Sequence, residues 1–261
     1  MSTWISRAFR PARAGLAAGG SDWEALAARP PLPGPGLDGQ RDRARALRGQ
    51  LDRFLLVTDP AATRTRPELD RLELPRGTDW RWRPPVLSAP VRPAAIVTPE
   101  NGQAFGGELG LFHDCPLRAA ILRQLPNRRA QDLAPFALRL EVLGFSGSYM
   151  SLAIPLPAAA LEGLTRSHII RAELQLDIER PLGVVARLNV ENGPNTDRLP
   201  ALLEGLQPGP NRALAEFDLA DTEMNENRLE RAWIDLILDQ PGMNAVTLRD
   251  MVVSRHPRAE I

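Results

Sequence analysis

The run Trp233-Ile234-Asp235-Leu236-Ile237-Leu238, followed by Gln240-Pro241-Gly242-Met243-Asn244 and then Ala245 to Arg255, decides the fold. Pro241 and Gly242 fall where a helix would have to continue, so the two apolar runs read as strands joined by a turn. The first run is apolar on both sides. Trp233 and Ile237 share one face with Asp235 interrupting the run, and Ile234, Leu236 and Leu238 take the other, as expected of a strand in the middle of a sandwich. The second run places Val246, Leu248 and Val252 on one face and Met251 and Val253 on the other, with Asp250 breaking the pattern. Just upstream, Asn211 to Ala220 ends in Phe217-Asp218-Leu219 and supplies a third strand, joined by a polar turn at Met224 to Asn227.

Working outward, the cleanest alternation is His168 to Glu179. Ile170, Ala172, Leu174, Leu176 and Ile178 form one face, opposed by Arg171, Glu173, Gln175, Asp177 and Glu179. Pro181-Leu182-Gly183 then turns the chain into Val184 to Val190. Further strands are read at Leu109 to Phe112, Ala119 to Leu125, Phe136 to Val142 and Tyr149 to Leu156. Val91 to Gly107 reads as loop, and so does Asn192 to Thr196, with a Pro- and Gly-bounded excursion on to Asn211. About nine strands with polar turns between them predict a mainly β protein, an antiparallel jelly-roll β-sandwich.

Ahead of it lies a helical, Pro- and Arg-rich N-terminal arm. Residues 1–37 are expected to be a flexible segment, ending in the stiff spacer Pro30 to Gly36. Residues 38–107 are read as a helix plus an extended arm packing on the sandwich, and 108–261 as the sandwich itself. The helix runs from Asp38, its expected cap, to about Val57, with Leu47, Leu51, Phe54 and Leu55 on one stripe. Trp4, Ile5 and Phe9 offer a small apolar face near the start.

Composition narrows the chemistry. All 32 basic residues among the 261 are arginine, balanced by 32 acidic ones. A net charge of +0 argues against nucleic acid as a partner. The absence of lysine excludes Schiff-base catalysis and the lysine-bearing phosphate loop. Cys115 is the single cysteine, so a reducing, cytoplasmic setting is expected. No apolar run reaches the roughly 20 residues of a membrane helix. Met1 to Ala18 is broken by Pro11 and Gly15 and does not read as a signal peptide.

Candidate site residues fall into three sets. Arg187, Asn189 and Asp235 lie on strands expected to be neighbours, and would form either an internal ion-pair network or a polar cleft for a sugar hydroxyl or carboxylate. Trp80 and Trp82, spaced by two, would stack on a planar ligand or pin the arm to the sandwich. His113 and Asp114, with Asp235, are the acid and base candidates, although consecutive strand residues point to opposite sides. No metal site is expected from three histidines and one cysteine, and no cofactor is implied. Asp218, Asp221 and Glu223 are the oxygen set that a structural calcium ion would use.

Ala186-Arg187-Leu188-Asn189-Val190, Phe217-Asp218-Leu219-Ala220, Trp233-Ile234-Asp235-Leu236, Pro241-Gly242-Met243-Asn244 and Ser254 to Glu260 resemble an uncharacterised domain-of-unknown-function family of Rhodobacter-type alphaproteobacteria. Asp79-Trp80-Arg81-Trp82-Arg83-Pro84, Phe112-His113-Asp114-Cys115 and Phe145-Ser146-Gly147-Ser148 extend the resemblance over most of 38–261. It implies no established activity. The C-terminal part is loosely similar in architecture to carbohydrate-binding and galactose-binding-like jelly-roll modules.

The reading is therefore a non-enzymatic module that binds a glycan, a small molecule or a protein partner. One alternative is a glycan-modifying hydrolase or transferase using acidic residues on the sheet. The other is a scaffold docking a partner through the N-terminal helix.

Overall fold

The computed structural model describes residues 35–58 and 72–258, together with Trp23, Leu26 and Leu69. The expectations for Trp4, Ile5 and Phe9, and for most of 1–37, lie outside the described residues.

Helix α1 spans Pro35–Thr58. It begins three residues before Asp38, which sits in the first turn and faces Arg41 at 3.6 Å instead of capping the helix. Proline at a helix start is favourable because its missing N–H would have no partner there. Leu51, Phe54 and Leu55 are exposed.

The sandwich consists of two antiparallel sheets. Its thirteen strands among the described residues are β1 (Trp80–Trp82), β2 (Ala95–Val97), β3 (Gln103–Phe105), β4 (Leu109–His113), β5 (Ala120–Pro126), β6 (Phe136–Val142), β7 (Met150–Pro155), β8 (His168–Ile178), β9 (Val184–Asn192), β10 (Asn195–Leu202), β11 (Gly209–Asp218), β12 (Leu229–Leu238) and β13 (Asn244–Pro257). One sheet runs β11-β8-β13-β6-β5-β2, with β1 also pairing β13; the other runs β10-β9-β12-β7-β4-β3. Alternation places Ile170, Ala172, Leu174, Leu176 and Ile178 of β8 against Ala186, Leu188, Val190, Ile234 and Leu236 of β9 and β12 in one shared core.

Four strands escape the alternation reading. β2 and β3 lie within Val91 to Gly107 and are only three residues long, too short to show a period. β10 occupies the segment read as loop and excursion. Its Pro200 is tolerated because β10 is an edge strand and needs no donor on its outer side. β1 takes the place of the expected arm, with Trp80 opposite Arg255 and Trp82 opposite Val253. The two rings pack on the core with centroids 6.5 Å apart.

β13 is the spine of the seven-stranded sheet. It pairs β8 along its length, β6 over Asn244 to Leu248, and β1 from Val253 to Arg255. Between those last two partners its register shifts at Leu248/Asp250. Asn127 donates to the Arg249 carbonyl there at 2.9 Å, and Arg249 donates to Asp177 at 2.6 Å. Asp250 accepts from Arg83 Nε at 2.7 Å and from Nη2 at 2.9 Å, with side-chain exposures of only 5% and 1%. The short helix α2 (Pro85–Ser88) follows. Gln124 holds it by donating to the Val86 and Ala89 carbonyls at 2.7 Å each, while Val91 N–H donates to Gln124 Oε1.

Removing one member of a buried pair strands the other charge without a partner. Arg83→Met and Asp250→Leu are each expected to cost about 3–5 kcal/mol in urea denaturation. The double variant should lose clearly less than the sum of the two. Additive losses would show that the pair is not the tie.

Candidate ligand-binding face

The six-stranded sheet turns a second face away from the core. On β9 the residues alternating with Ala186, Leu188 and Val190 are Arg187, Asn189 and Glu191; on β12 they are Arg231, Trp233 and Asp235. Strand register lines them up in rows. Arg187 lies opposite Asp235, Asp235 opposite Ala153, and Ala153 opposite Gly110; in the next row Asn189 lies opposite Trp233. The small side chains of the first row leave room for rings, and Trp233, Phe112 and Ala153 form a hydrophobic cluster separate from the main core.

Within this face the donors converge on one oxygen. Asp235 Oδ2 accepts from Arg187 Nη2 at 2.7 Å, from Arg187 Nε at 3.3 Å and from Asn189 Nδ2 at 3.0 Å. Asn189 also donates to the Arg187 carbonyl at 3.0 Å. Asp235 and Asn189 are each 1% exposed and Trp233 is 5% exposed, whereas the Arg187 side chain is 30% exposed and forms the outer edge of the cluster. The Arg231 guanidinium lies 5.3 Å from the centroid of the Trp233 ring and is also paired with Glu191.

Three buried polar atoms of this cluster lack hydrogen-bond partners among the described residues: Asp235 Oδ1, Asn189 Oδ1 and Trp233 Nε1. Burial pushes the Asp235 carboxyl above the usual carboxylate range, against the opposing pull of Arg187, Asn189 and Trp233. Trp233 thus lies near enough to favour the carboxylate, yet its N–H does not reach it with regular hydrogen-bond geometry.

The other expected site residues are elsewhere. His113 ends β4 on the core side with Leu111, its Nε2 at 3.0 Å from the Pro99 carbonyl. Asp114 lies beyond that strand and holds the 145–148 loop, accepting from Ser148 Oγ at 2.6 Å and Ser148 N at 2.7 Å. Those hydrogen bonds, led by the Ser148 hydroxyl, keep its carboxyl below the usual range. A β-carbon at Gly147 would collide with the Asp114 carboxylate, so the loop closes only around glycine. His113, Asp114 and Asp235 therefore do not share a face. Trp80 and Trp82 belong to the opposite sheet. Asp218 accepts from Ala220 N at 3.0 Å and faces Arg258 at 3.1 Å. Among the described residues no three His, Cys, Asp or Glu side chains gather as metal ligands.

Sequence reasoning assembled Arg187, Asn189 and Asp235 but missed Trp233, Phe112 and Arg231 as their surroundings. The signal was present for Trp233, which stands two residues from Asp235 and so shares its face.

Residues 16–261 match a family of unknown function, DUF6478. The chain belongs to that family. No curated protein matches it. Among solved structures, it is similar to the enzymatically active domain of bacteriophage CBA120 tailspike protein 4, at 7% identity and TM-score 0.41, over 57% of this chain and 19% of that one. It thus spans about a fifth of the tailspike chain. It is also similar to a family 11 carbohydrate-binding module from Clostridium thermocellum in complex with a β-1,3-1,4-mixed-linked tetrasaccharide, at 8% identity and TM-score 0.37, over 59% and 91% of the two chains. A third likeness is to TmCBM61 in complex with β-1,4-galactotriose, at 11% identity and TM-score 0.34, over 57% and 88%. No helix among the described residues is long and apolar enough to cross a membrane.

The raised Asp235 pKa has a definite sign in stability. Unfolded, the group titrates at about 3.9; folded, it holds its proton to higher pH. Its contribution is therefore complete below the unfolded value and is lost as pH rises through the folded one. In paired thermal denaturations from acid to neutral pH, the melting temperature of the wild type minus that of Asp235→Asn should fall as pH rises. A difference that grows with pH would contradict the shift.

Proposed function

We propose that this chain is a non-enzymatic binding module, working in a reducing cytoplasm, whose six-stranded sheet takes a polyhydroxylated, glycan-like ligand on its outer face. The carrying observation is the set of three unpaired buried atoms in that cluster, two acceptors and one donor, which a ligand reaches once the partly exposed Arg187 side chain at their edge moves aside. A hydroxyl group is both donor and acceptor, so neighbouring sugar hydroxyls match such a set. An anionic group would meet the oxygens of Asp235 and Asn189 and be repelled. Arg187, partly exposed and anchored on Asp235, supplies a charged donor at the entrance.

A second reading, a glycan-modifying hydrolase or transferase, is favoured by the raised Asp235 pKa, which suits a general acid. It requires a second carboxylate across the ligand. Glu191, two rows along the same face, is taken up by Arg231. The scaffold reading draws on the exposed Leu51, Phe54 and Leu55 of α1.

A glycan array on the intact chain, followed by calorimetric titration of the hits, tests the binding reading. Neutral oligosaccharides are expected to bind, and Arg187→Ala should weaken them by at least about tenfold, as loss of a charged hydrogen bond predicts. Binding that is unchanged in Arg187→Ala, or the absence of any hit, would sink it. Cleavage of a bound oligosaccharide, abolished in Asp235→Asn, would favour the enzyme.

A further inference from the structure

Among the described residues the two sheets have five free strand edges, and four are protected. β1, β2 and β3 are three residues long, and β10 carries Pro200 within its eight residues. Shortness and proline both discourage pairing with another strand. β11 is different. It pairs β8 in unbroken register from Gly209 to Asp218, and from Asn211 to Phe217 it has neither proline nor a register shift. Its outer edge therefore presents a regular row of backbone donors and acceptors.

The face of β11 turned away from the core carries Arg212, Leu214 and Glu216, all exposed, with Leu214 at 45%. Arg212 has no ion-pair partner among the described residues. Glu216 accepts from Arg171 through Oε1 at 3.0 Å, which leaves its second oxygen available. The strand is also self-complementary about Leu214. If two copies of this edge pair antiparallel about a twofold axis through that residue, Leu214 lies opposite Leu214. Arg212 then lies opposite Glu216 of the partner subunit, and the reciprocal pair forms on the other side of the axis. A twofold axis perpendicular to the sheet keeps these side chains on the same outward face, so both ion pairs and the leucine contact form together.

We infer that the occupant of this edge is a second copy of the same chain, joined through β11 so that two seven-stranded sheets become one continuous sheet. The surface lies on the sheet opposite the proposed ligand face, and the inference does not depend on that reading.

Sedimentation equilibrium of the full chain tests it. The wild type is expected to associate with rising concentration towards twice its 28.7 kDa, while Arg212→Glu, which sets two carboxylates against each other at both positions, should remain monomeric. The combined variant Arg212→Glu with Glu216→Arg restores opposite charges and should recover the dimer. As a second measurement, Leu214→Cys should form an intermolecular disulfide on mild oxidation, because directly opposed strand residues come within bridging distance. A wild type that stays monomeric at about 100 µM, or an Arg212→Glu variant that dimerises like the wild type, would overturn the inference. Failure of Leu214→Cys to cross-link in a wild-type-like dimer would place the interface elsewhere and overturn it too.

Discussion

The buried pair between Arg83 and Asp250 sits where β13 changes partners, and the seven-stranded sheet depends on that change. β6 covers one edge of β13 up to Leu248 and β1 covers the same edge from Val253. In the interval the backbone shifts register, and a bare strand edge would leave polar groups unsatisfied. Asp250 meets the interval from both directions: it accepts from Met251 N at 2.8 Å and holds the Arg83 guanidinium in two hydrogen bonds. Asn127 and Arg249 secure the other side of the bulge. Such an arrangement is costly to desolvate and gains little stability over an apolar substitute. Its consequence is positional: it fixes where β1 and α2 join the sandwich.

The same tension between burial and charge recurs on the other sheet with a different outcome. Around Asp250 the donors are shared between both carboxylate oxygens. Around Asp235 they crowd on Oδ2, leaving Oδ1, Asn189 Oδ1 and Trp233 Nε1 without partners among the described residues. A low-polarity setting strengthens the hydrogen bonds that are made and raises the cost of those that are not. That imbalance is what the proposed ligand face rests on, whereas the Arg83 and Asp250 pair joins two structural elements. Even there the match is incomplete, since Arg83 Nη1 also has no partner among the described residues.

Much of the fold was legible because sheets with one face on a core impose a period of two. β8 carries that alternation from Ile169 to Ile178 and β6 from Leu138 to Val142, and their limits agree closely with the reading from sequence. The Arg187, Asn189 and Asp235 grouping was legible for the same reason, since central strands that run side by side align their outward residues. What escaped were elements whose identity lies in their partner. β2 and β3 are strands because Leu122 and Leu111 stand opposite them, and β10 is one because β9 does. Trp80 and Trp82 admitted two uses by spacing alone, and the position of β1 against β13 turns their rings towards the core.

By itself, the sequence determined the antiparallel sandwich, the turn at Pro241 and Gly242, the charge balance and the single thiol, since periodicity, proline chemistry and composition are local properties of the chain. Tertiary structure alone decided that His113 faces the core while Asp235 faces outward, that Asp114 closes a loop, and that Arg83 reaches Asp250 across 167 residues of chain. Those outcomes depend on which strands meet and at what register. Register is set by the summed burial of both faces of every strand, a quantity that no single segment carries.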